Sequence, residues 1–221
     1  MKMISTACFY FLMIITACVV LLASAGHSAA DQDAQKIIDS VEKTVKKLET
    51  ITCTFRQEYE QKAFEKTRVI SGTICTKTPN MLRVEYPAQT IVVDGETVWQ
   101  YIPKNRQVTV QEFEEGEDMF PTPHSIFIRH IARGEAVFEG EEEINGRICD
   151  KLHLSSGLDE SSEVTVWVDR TLKFPVKTVE TKPNGDVITY VLDEVKLNKR
   201  INNKTFKFIV PEGVEVVDMR G

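Results

Sequence analysis

The sequence predicts a mainly β chain of the α+β class, in which one large antiparallel sheet curls around an N-terminal helix and a short second helix. Three observations carry this. Apolar and polar residues alternate through most of the chain, with turn residues punctuating the alternation at nearly regular intervals. Two helical patterns interrupt the strands, and a sheet this long that curls has a concave face for helices to fill. The run Asp94-Gly95-Glu96-Thr97-Val98-Trp99-Gln100-Tyr101-Ile102-Pro103 describes a tight hairpin, with Asp-Gly suited to a type I′ turn. Trp99 and Tyr101 stand two apart on its second strand and so share one face, which wants an apolar partner.

The chain opens with Lys2, an apolar run from Ile4 to Ala25, small residues at Ala23-Ser24-Ala25 and Ser28-Ala29-Ala30, and then the polar Asp31. This is the pattern of a cleaved secretory signal peptide over residues 1–30. The run is also long enough for an uncleaved anchor. Ile15-Thr16-Ala17-Cys18 resembles a lipidation box, although Val19-Val20-Leu21-Leu22 prolong the apolar run where a lipoprotein turns polar. Residues 31–221 carry neither a linker nor a repeat and read as a single domain. Removing the signal takes one cation, Lys2, from 27 Lys and Arg against 33 Asp and Glu, moving the net charge from −6 to −7. So acidic a surface argues against nucleic acid as a partner.

From about Asp33 to Leu48, Ile38, Val41, Val45 and Leu48 recur at helical spacing with lysines facing away, as in a helix lying on something apolar. Strands follow. Ile51, Cys53, Phe55 and Tyr59 share a face of the first, a turn spans Lys62 to Lys66, and Val69–Thr76 returns with Gly72 inside as a place for a bend. Further strands fall at Met81–Tyr86, Thr90–Val93, Thr97–Ile102 and Gln107–Phe113. After an acidic loop (Glu112–Asp118) and the breakers Pro121 and Pro123, Ser125 to Gly134 reads as a short helix capped by Ser125. Its Ile126, Phe127, Ile128 and Ile131 cover too much of the circumference for a surface helix, so it must be covered on more than one side or cover something. Strands resume at Ala136–Glu141, Arg147–Leu154, Val164–Val168, Val176–Glu180 and Val187–Leu197, with turns at Asn145-Gly146 and Asn184-Gly185.

Chemistry is sparse. Beyond the signal, Cys53, Cys75 and Cys149 allow at most one bridge. A hairpin turning near Phe64 would set Cys53 opposite Cys75, and a buried free thiol is the alternative. The spacing fits no structural zinc site. His124 and His130 lack the same-face spacing of a helical metal pair, and His153 sits in a strand between leucines. Acidic residues come in runs, as in Glu141-Glu142-Glu143, which suits solvated loops; that at Glu112–Asp118 is also a candidate dock for a basic partner. Nucleophile-elbow, phosphate-loop, His-Glu-x-x-His and paired Cys-x-x-Cys motifs are absent from the sequence, which points away from an enzyme. By contrast Tyr59, Tyr86, Trp99, Tyr101, Trp167 and Tyr190 lie on strands, where aromatics with a polar tip suit a wall between a greasy ligand and water. With the over-apolar helix, they point to a ligand cavity.

The order of landmarks is similar to that of the periplasmic outer-membrane lipoprotein carrier family LolA. The amphipathic first helix, Phe55-x-Gln57, Gly72 leading to Lys77-Thr78-Pro79-Asn80, the Val93 to Pro103 hairpin, the Ile128 to Arg133 helix and Phe206-x-Phe208 before Pro211-Glu212-Gly213-Val214 all carry the resemblance. It implies an unclosed β-barrel with helices as a lid on the concave face. It further implies a monomeric carrier, without cofactor or metal, that shields the acyl chains of triacylated lipoproteins between an inner-membrane lipoprotein-releasing transporter and an outer-membrane receptor. Carried over by position, Leu82 and Val84 fall on the concave wall and Ile128 and Ile131 on the lid; Trp99 matches a family tryptophan, and Tyr86 and Tyr101 join the same apolar set. The family often has arginine, bonding the lid closed, where this chain has Thr78, and an aromatic at Val84. Lid closure is then weaker here or falls to Lys77 or Arg83. On the same scaffold a LolB-like receptor, an envelope sensor or another lipid-binding module stays open, and a lipid-ester hydrolase would need one of the histidines beside a nucleophile.

Overall fold

The computed structural model describes residues 29–114, 120, 122–131, 135–155 and 163–221. The signal segment, Cys18, Pro121, Gly134 and most of the acidic loop lie outside them. In chain order the elements are α1 (Ala29–Val45), β1 (Thr50–Gln61), β2 (Lys66–Lys77), β3 (Met81–Tyr86), β4 (Gln89–Asp94), β5 (Thr97–Ile102), β6 (Gln107–Glu112), α2 (Pro123–Ile131), β7 (Ala136–Ile144), β8 (Arg147–Ser155), β9 (Glu163–Asp169), β10 (Phe174–Thr181), β11 (Val187–Leu197) and β12 (Glu215–Asp218).

Among the described residues the strands form one sheet in the order β12, β6, β5, β4, β3, β2, β1, β11, β10, β9, β8, β7. Its ends do not pair with each other, so the sheet is an open, curled, unclosed barrel. Within each half, β1 to β6 and β7 to β11, consecutive strands pair antiparallel. The long-range link is β1 on β11, which joins the two halves with Phe55 opposite Leu192 and Gln57 opposite Tyr190. One pair departs from the all-antiparallel expectation: β12 runs parallel to β6. It reaches that edge through a strap, residues 198–214, that crosses the outer face instead of turning back as a hairpin.

Both helices lie on the concave face. Ala34 and Val41 of α1 and Ile126 and Phe127 of α2 are buried in one cluster with Leu152, Val164, Val166 and Tyr190 of the sheet. A second cluster joins Cys53, Phe55, Ile74, Val84, Ile91, Val93 and Leu192. Gln57 donates to the buried Tyr190 hydroxyl at 2.6 Å, which satisfies a polar atom beneath the helices and gives the Phe55-x-Gln57 pattern a physical role.

Local chemistry corrects three expectations. At the β4 to β5 hairpin only Gly95 takes a positive φ, while the Asp94 carboxylate accepts the amides of Glu96 and Thr97, so the turn is held by a side chain and is not type I′. Helix α2 starts two residues before the expected cap. Thr122 accepts the Ser125 amide and Ser125 Oγ accepts the Thr122 amide, a reciprocal capping box with Pro123 at the first helical position. Cys53, Cys75 and Cys149 are free. In the β1 to β2 register Cys53 faces Ile74 and Cys75 faces Thr52, so the two thiols point to opposite faces of the sheet and cannot bridge.

The turns of the β1–β2 and β10–β11 hairpins are stapled by Asp186. Its carboxylate accepts the Tyr59 hydroxyl at 2.7 Å, the Lys62 amide at 2.9 Å and the Asn184 amide group at 3.0 Å. The Tyr59 hydrogen bond, aided by the Lys62 and Asn184 donors, holds this carboxyl below its ordinary value against the opposing effect of burial. A carboxyl depressed in the folded state adds stability that is complete above its unfolded value and is lost as pH falls through the folded one. Thermal melts between neutral pH and the acid limit will therefore fall more steeply for the native protein than for Asp186→Asn; parallel curves would refute the staple.

Candidate functional site

A cavity of about 280 Å³ lies between the helices and the concave face. Its floor spans four adjacent strands, with Ile74 and Thr76 from β2, Ile51 and Cys53 from β1, Leu192 from β11 and Phe174 from β10. Its roof and rim are Val45 at the end of α1, Leu48 and Glu49 just beyond it, Thr122 and His124 at the start of α2, and Thr78. The wall is therefore chiefly aliphatic and aromatic, with threonines, Glu49 and His124 at one margin. This is how a site for a largely apolar ligand with a polar end is built.

The rim follows from local structure. Helix α1 ends at Val45, three residues sooner than its pattern suggested, because Asn198 captures the chain: its side chain accepts the Glu49 amide and donates to the Lys47 carbonyl. Leu48 is thereby turned into the cavity. Thr78 is tied to the same corner, its amide and hydroxyl both donating to the Glu49 carbonyl, at 2.9 and 3.3 Å. The His124 ring stacks on fully buried Phe174, centroids 5.3 Å apart and planes 22° from parallel, which docks the first turn of α2 on the sheet.

The residues singled out from the sequence separate into three places. Leu82, Val84 and Tyr86 belong to the concave cluster that backs the cavity, with Val84 fully buried and Leu82 and Tyr86 packed against it. Ile128 and Ile131 pack into the other cluster, under the helices. Of the predicted cavity and lid residues Thr78 alone lines the cavity, on its rim, while Cys53, weighed as a bridge partner, lies on the floor and His124, weighed as a catalytic or metal histidine, on the rim. Trp99 and Tyr101 stand on the outer face: they pair with Val92, Val110 and Val108, whereas Ile91 and Val93 face inward with Val84 and Leu82. For Tyr101 the apolar partner is the strap, whose Phe208 ring lies 6.0 Å from its own and whose Phe206 is buried. Arg83 and Lys77 also turn to the strap, Arg83 donating to the Thr205 carbonyl and Lys77 to Asn203, and not to the helices they were expected to hold.

Sequence reasoning missed Ile74, Phe174, Leu192 and Thr122, and named Leu48 and His124 without placing them at the cavity. Strand alternation puts Ile74 on the same face as Cys53 once β1 and β2 are paired; Leu192 and Phe174 enter only through the β1 to β11 pairing, which no local pattern announces.

Cys53 and His124 both line the cavity, so nucleophilic catalysis has to be weighed. Burial, with a smaller contribution from Cys75, pushes the Cys53 thiol up to about 12. An activated cysteine has its thiol lowered, so Cys53 is inert by design of its surroundings. His153 stands on the outer face, in register with Thr165; the His130 side chain lies outside the described residues. Relative to the ordinary value of 9.0, a thiol at about 12 has roughly a thousandfold less thiolate at mild alkaline pH. Iodoacetamide labelling followed by mass spectrometry should thus modify Cys75 well before Cys53. Equal rates would mean that the cavity stands open.

Comparison with known proteins bears on what this cavity serves. Residues 46–209 match the family model described as outer membrane lipoprotein carrier protein LolA. The chain belongs to the LolA family. The outer-membrane lipoprotein carrier protein of Hahella chejuensis is 26% identical over 206 residues, covering 89% of this chain and 96% of that one. Among solved structures, an uncharacterized conserved protein from Thermus thermophilus superposes with a TM-score of 0.56 at 17% identity, covering 84% of this chain and 99% of the other. LprF from Mycobacterium bovis superposes with a TM-score of 0.51 at 11% identity over 85% of this chain and 100% of its own. The two structures support the fold alone, whereas the family match makes this a LolA-like scaffold for binding lipid or lipoprotein, and the Hahella relative is named as a carrier.

Proposed function

We propose that the protein, exported by a cleaved signal over residues 1–30, is a monomeric periplasmic carrier. Its domain, residues 31–221, shields the acyl chains of triacylated lipoproteins from the inner-membrane releasing transporter to an outer-membrane receptor. The observation that carries this reading is the apolar cavity between the helices and the concave face, in a chain of the LolA family. Each methylene left in water costs about 0.8 kcal/mol, so an acyl chain crosses an aqueous compartment only inside such a shelter. At about 280 Å³ the cavity falls just below the roughly 300–1,000 Å³ of sites for drug-sized ligands, too small for a three-chain anchor. Loading therefore requires α1 and α2 to lift from the sheet. The interface that must part is the layer holding Phe127, Ile128 and Ile131, while Leu82, Val84 and Tyr86 stay behind as the exposed concave wall.

The deciding experiment adds the purified mature protein to energised inner-membrane vesicles bearing the transporter and a labelled triacylated lipoprotein. The lipoprotein should appear in the soluble fraction in complex with the protein. No release under any nucleotide or salt condition would reject the carrier role, and native mass spectrometry of protein purified from cells would then identify which other lipid occupies the cavity.

A further inference from the structure

The strap that crosses the outer face has two sides with different chemistry. Its inner side is its anchor: Phe206 is 1% exposed, and Phe208 packs on Tyr101. Its outer side carries no packing duty. Between residues 199 and 210 lie Lys199, Arg200, Lys204 and Lys207 and not one Asp or Glu, in a chain where acids outnumber bases by 33 to 27. All four are exposed, and among the described residues none of them forms an ion pair. Directly beyond them Ile209 is 85% and Val210 40% exposed. The nearest acids in sequence are Glu194 before the cluster and Glu212 after it; Glu85, beneath the strap, is already engaged by Arg83. The far edge of the sheet has the opposite sign, with Glu139, Glu141, Glu142 and Glu143 along β7.

We infer that the outer side of the strap docks the protein on an anionic phospholipid bilayer. The four cations would meet the headgroups, and Ile209 and Val210 would enter the boundary between headgroup and acyl chain. A cluster of four or more Lys and Arg beside protruding aliphatic side chains is the chemistry of a membrane-surface contact. A protein interface of the same sign would be expected to use aromatics and arginine, with lysine depleted, and here three of the four cations are lysine. The acidic β7 edge is repelled by the same surface, so the charge asymmetry orients the molecule strap first. This docking is independent of what the cavity holds.

The test is flotation of the full mature chain with vesicles of phosphatidylglycerol and phosphatidylethanolamine, against vesicles of phosphatidylcholine alone. The protein should float with the anionic vesicles at low salt, stay behind with the neutral ones, and lose most binding at about 0.5 M salt, where the screening length is a few ångströms. With each cation worth about fivefold in partitioning, Lys204→Gln/Lys207→Gln should weaken binding about 25-fold, and charge reversal at all four positions should abolish it. Ile209→Ser/Val210→Ser should weaken it with the charge intact. Acylated-peptide binding should survive in every strap variant, which separates this proposal from the carrier reading. The inference is overturned if the native chain fails to float with anionic vesicles at low salt, leaving an acidic protein as the strap's partner, or if the double glutamine variant floats as well as the native chain.

Discussion

Phe174→Ala is expected to lower the stability of the empty protein by about 3–5 kcal/mol, and to do so far less when an acylated peptide is present. The first half follows from burial. Phe174 has no exposed surface, forms part of the cavity floor, and supports the ring of His124, so truncation forfeits its transfer energy and adds to a void that is already there. For a chain of 221 residues this corresponds to a fall in Tm of roughly 6–20 °C. The second half follows from linkage. A ligand that binds only the folded form adds RT ln(1 + [L]/Kd), about 2.7 kcal/mol at a hundred times Kd, and the widened cavity should bind a long chain more tightly than the native one does. The native protein will gain less from the same peptide, because for it the helices must first part. Calorimetry with and without a palmitoylated peptide measures both. An equal gain for variant and native protein would mean that the acyl chain does not occupy this cavity.

That prediction also marks where the sequence stops being readable. Strand alternation placed Ile51, Cys53 and Phe55 on one face, and β1 holds Cys53 and Phe55 on the concave wall beside Ile74. Alternation likewise put Trp99 and Tyr101 together. It could not say on which side of the sheet, because this half is covered on both faces, by the concave cluster within and by the strap without, and each cover is apolar. The strap itself offers no period: residues 198–214 contain no strand, and Phe206 and Phe208 look like the end of one. Pro123 was legible as a breaker and is in fact the first residue of α2, since a proline there gives up only an amide that the helix leaves unpaired. The site needed one fact that is not local, the pairing of β1 with a strand more than 130 residues later, and with it Leu192 and Phe174 join Cys53 and Ile74 around a single void.

Gly72 is the position where a single added methyl group should do most harm to the sheet. A Cβ built there would overlap the Glu85 carbonyl oxygen of the neighbouring strand and lie 2.8 Å from the Phe55 ring and 2.9 Å from Tyr86 Cβ. Space, and not an unusual φ, is what demands glycine. The absent side chain lets Phe55 and Tyr86 meet edge to face, with centroids 6.3 Å apart, and Phe120, from the segment leading to α2, packs against Phe55 at 5.0 Å. Because the nearest obstacle is backbone, no rotamer change relieves Gly72→Ala; β2 and β3 must separate locally, and the aromatic trio must open with them. We expect a loss at the upper end of the usual overpacking range, about 3 kcal/mol, or a Tm lower by roughly 6–12 °C. The harm should also reach the lid, since Phe120 fixes the chain just before α2. Urea unfolding will measure the stability loss, and Cys53 labelling will report the lid: faster alkylation in Gly72→Ala than in the fully buried outer-face variant Val92→Ala shows that the aromatic trio holds the helices down. Val92 supplies the control because its side chain faces away from the cavity. If the two variants label alike, the trio serves the sheet alone, and the lid is held by His124 on Phe174 and by the capped start of α2.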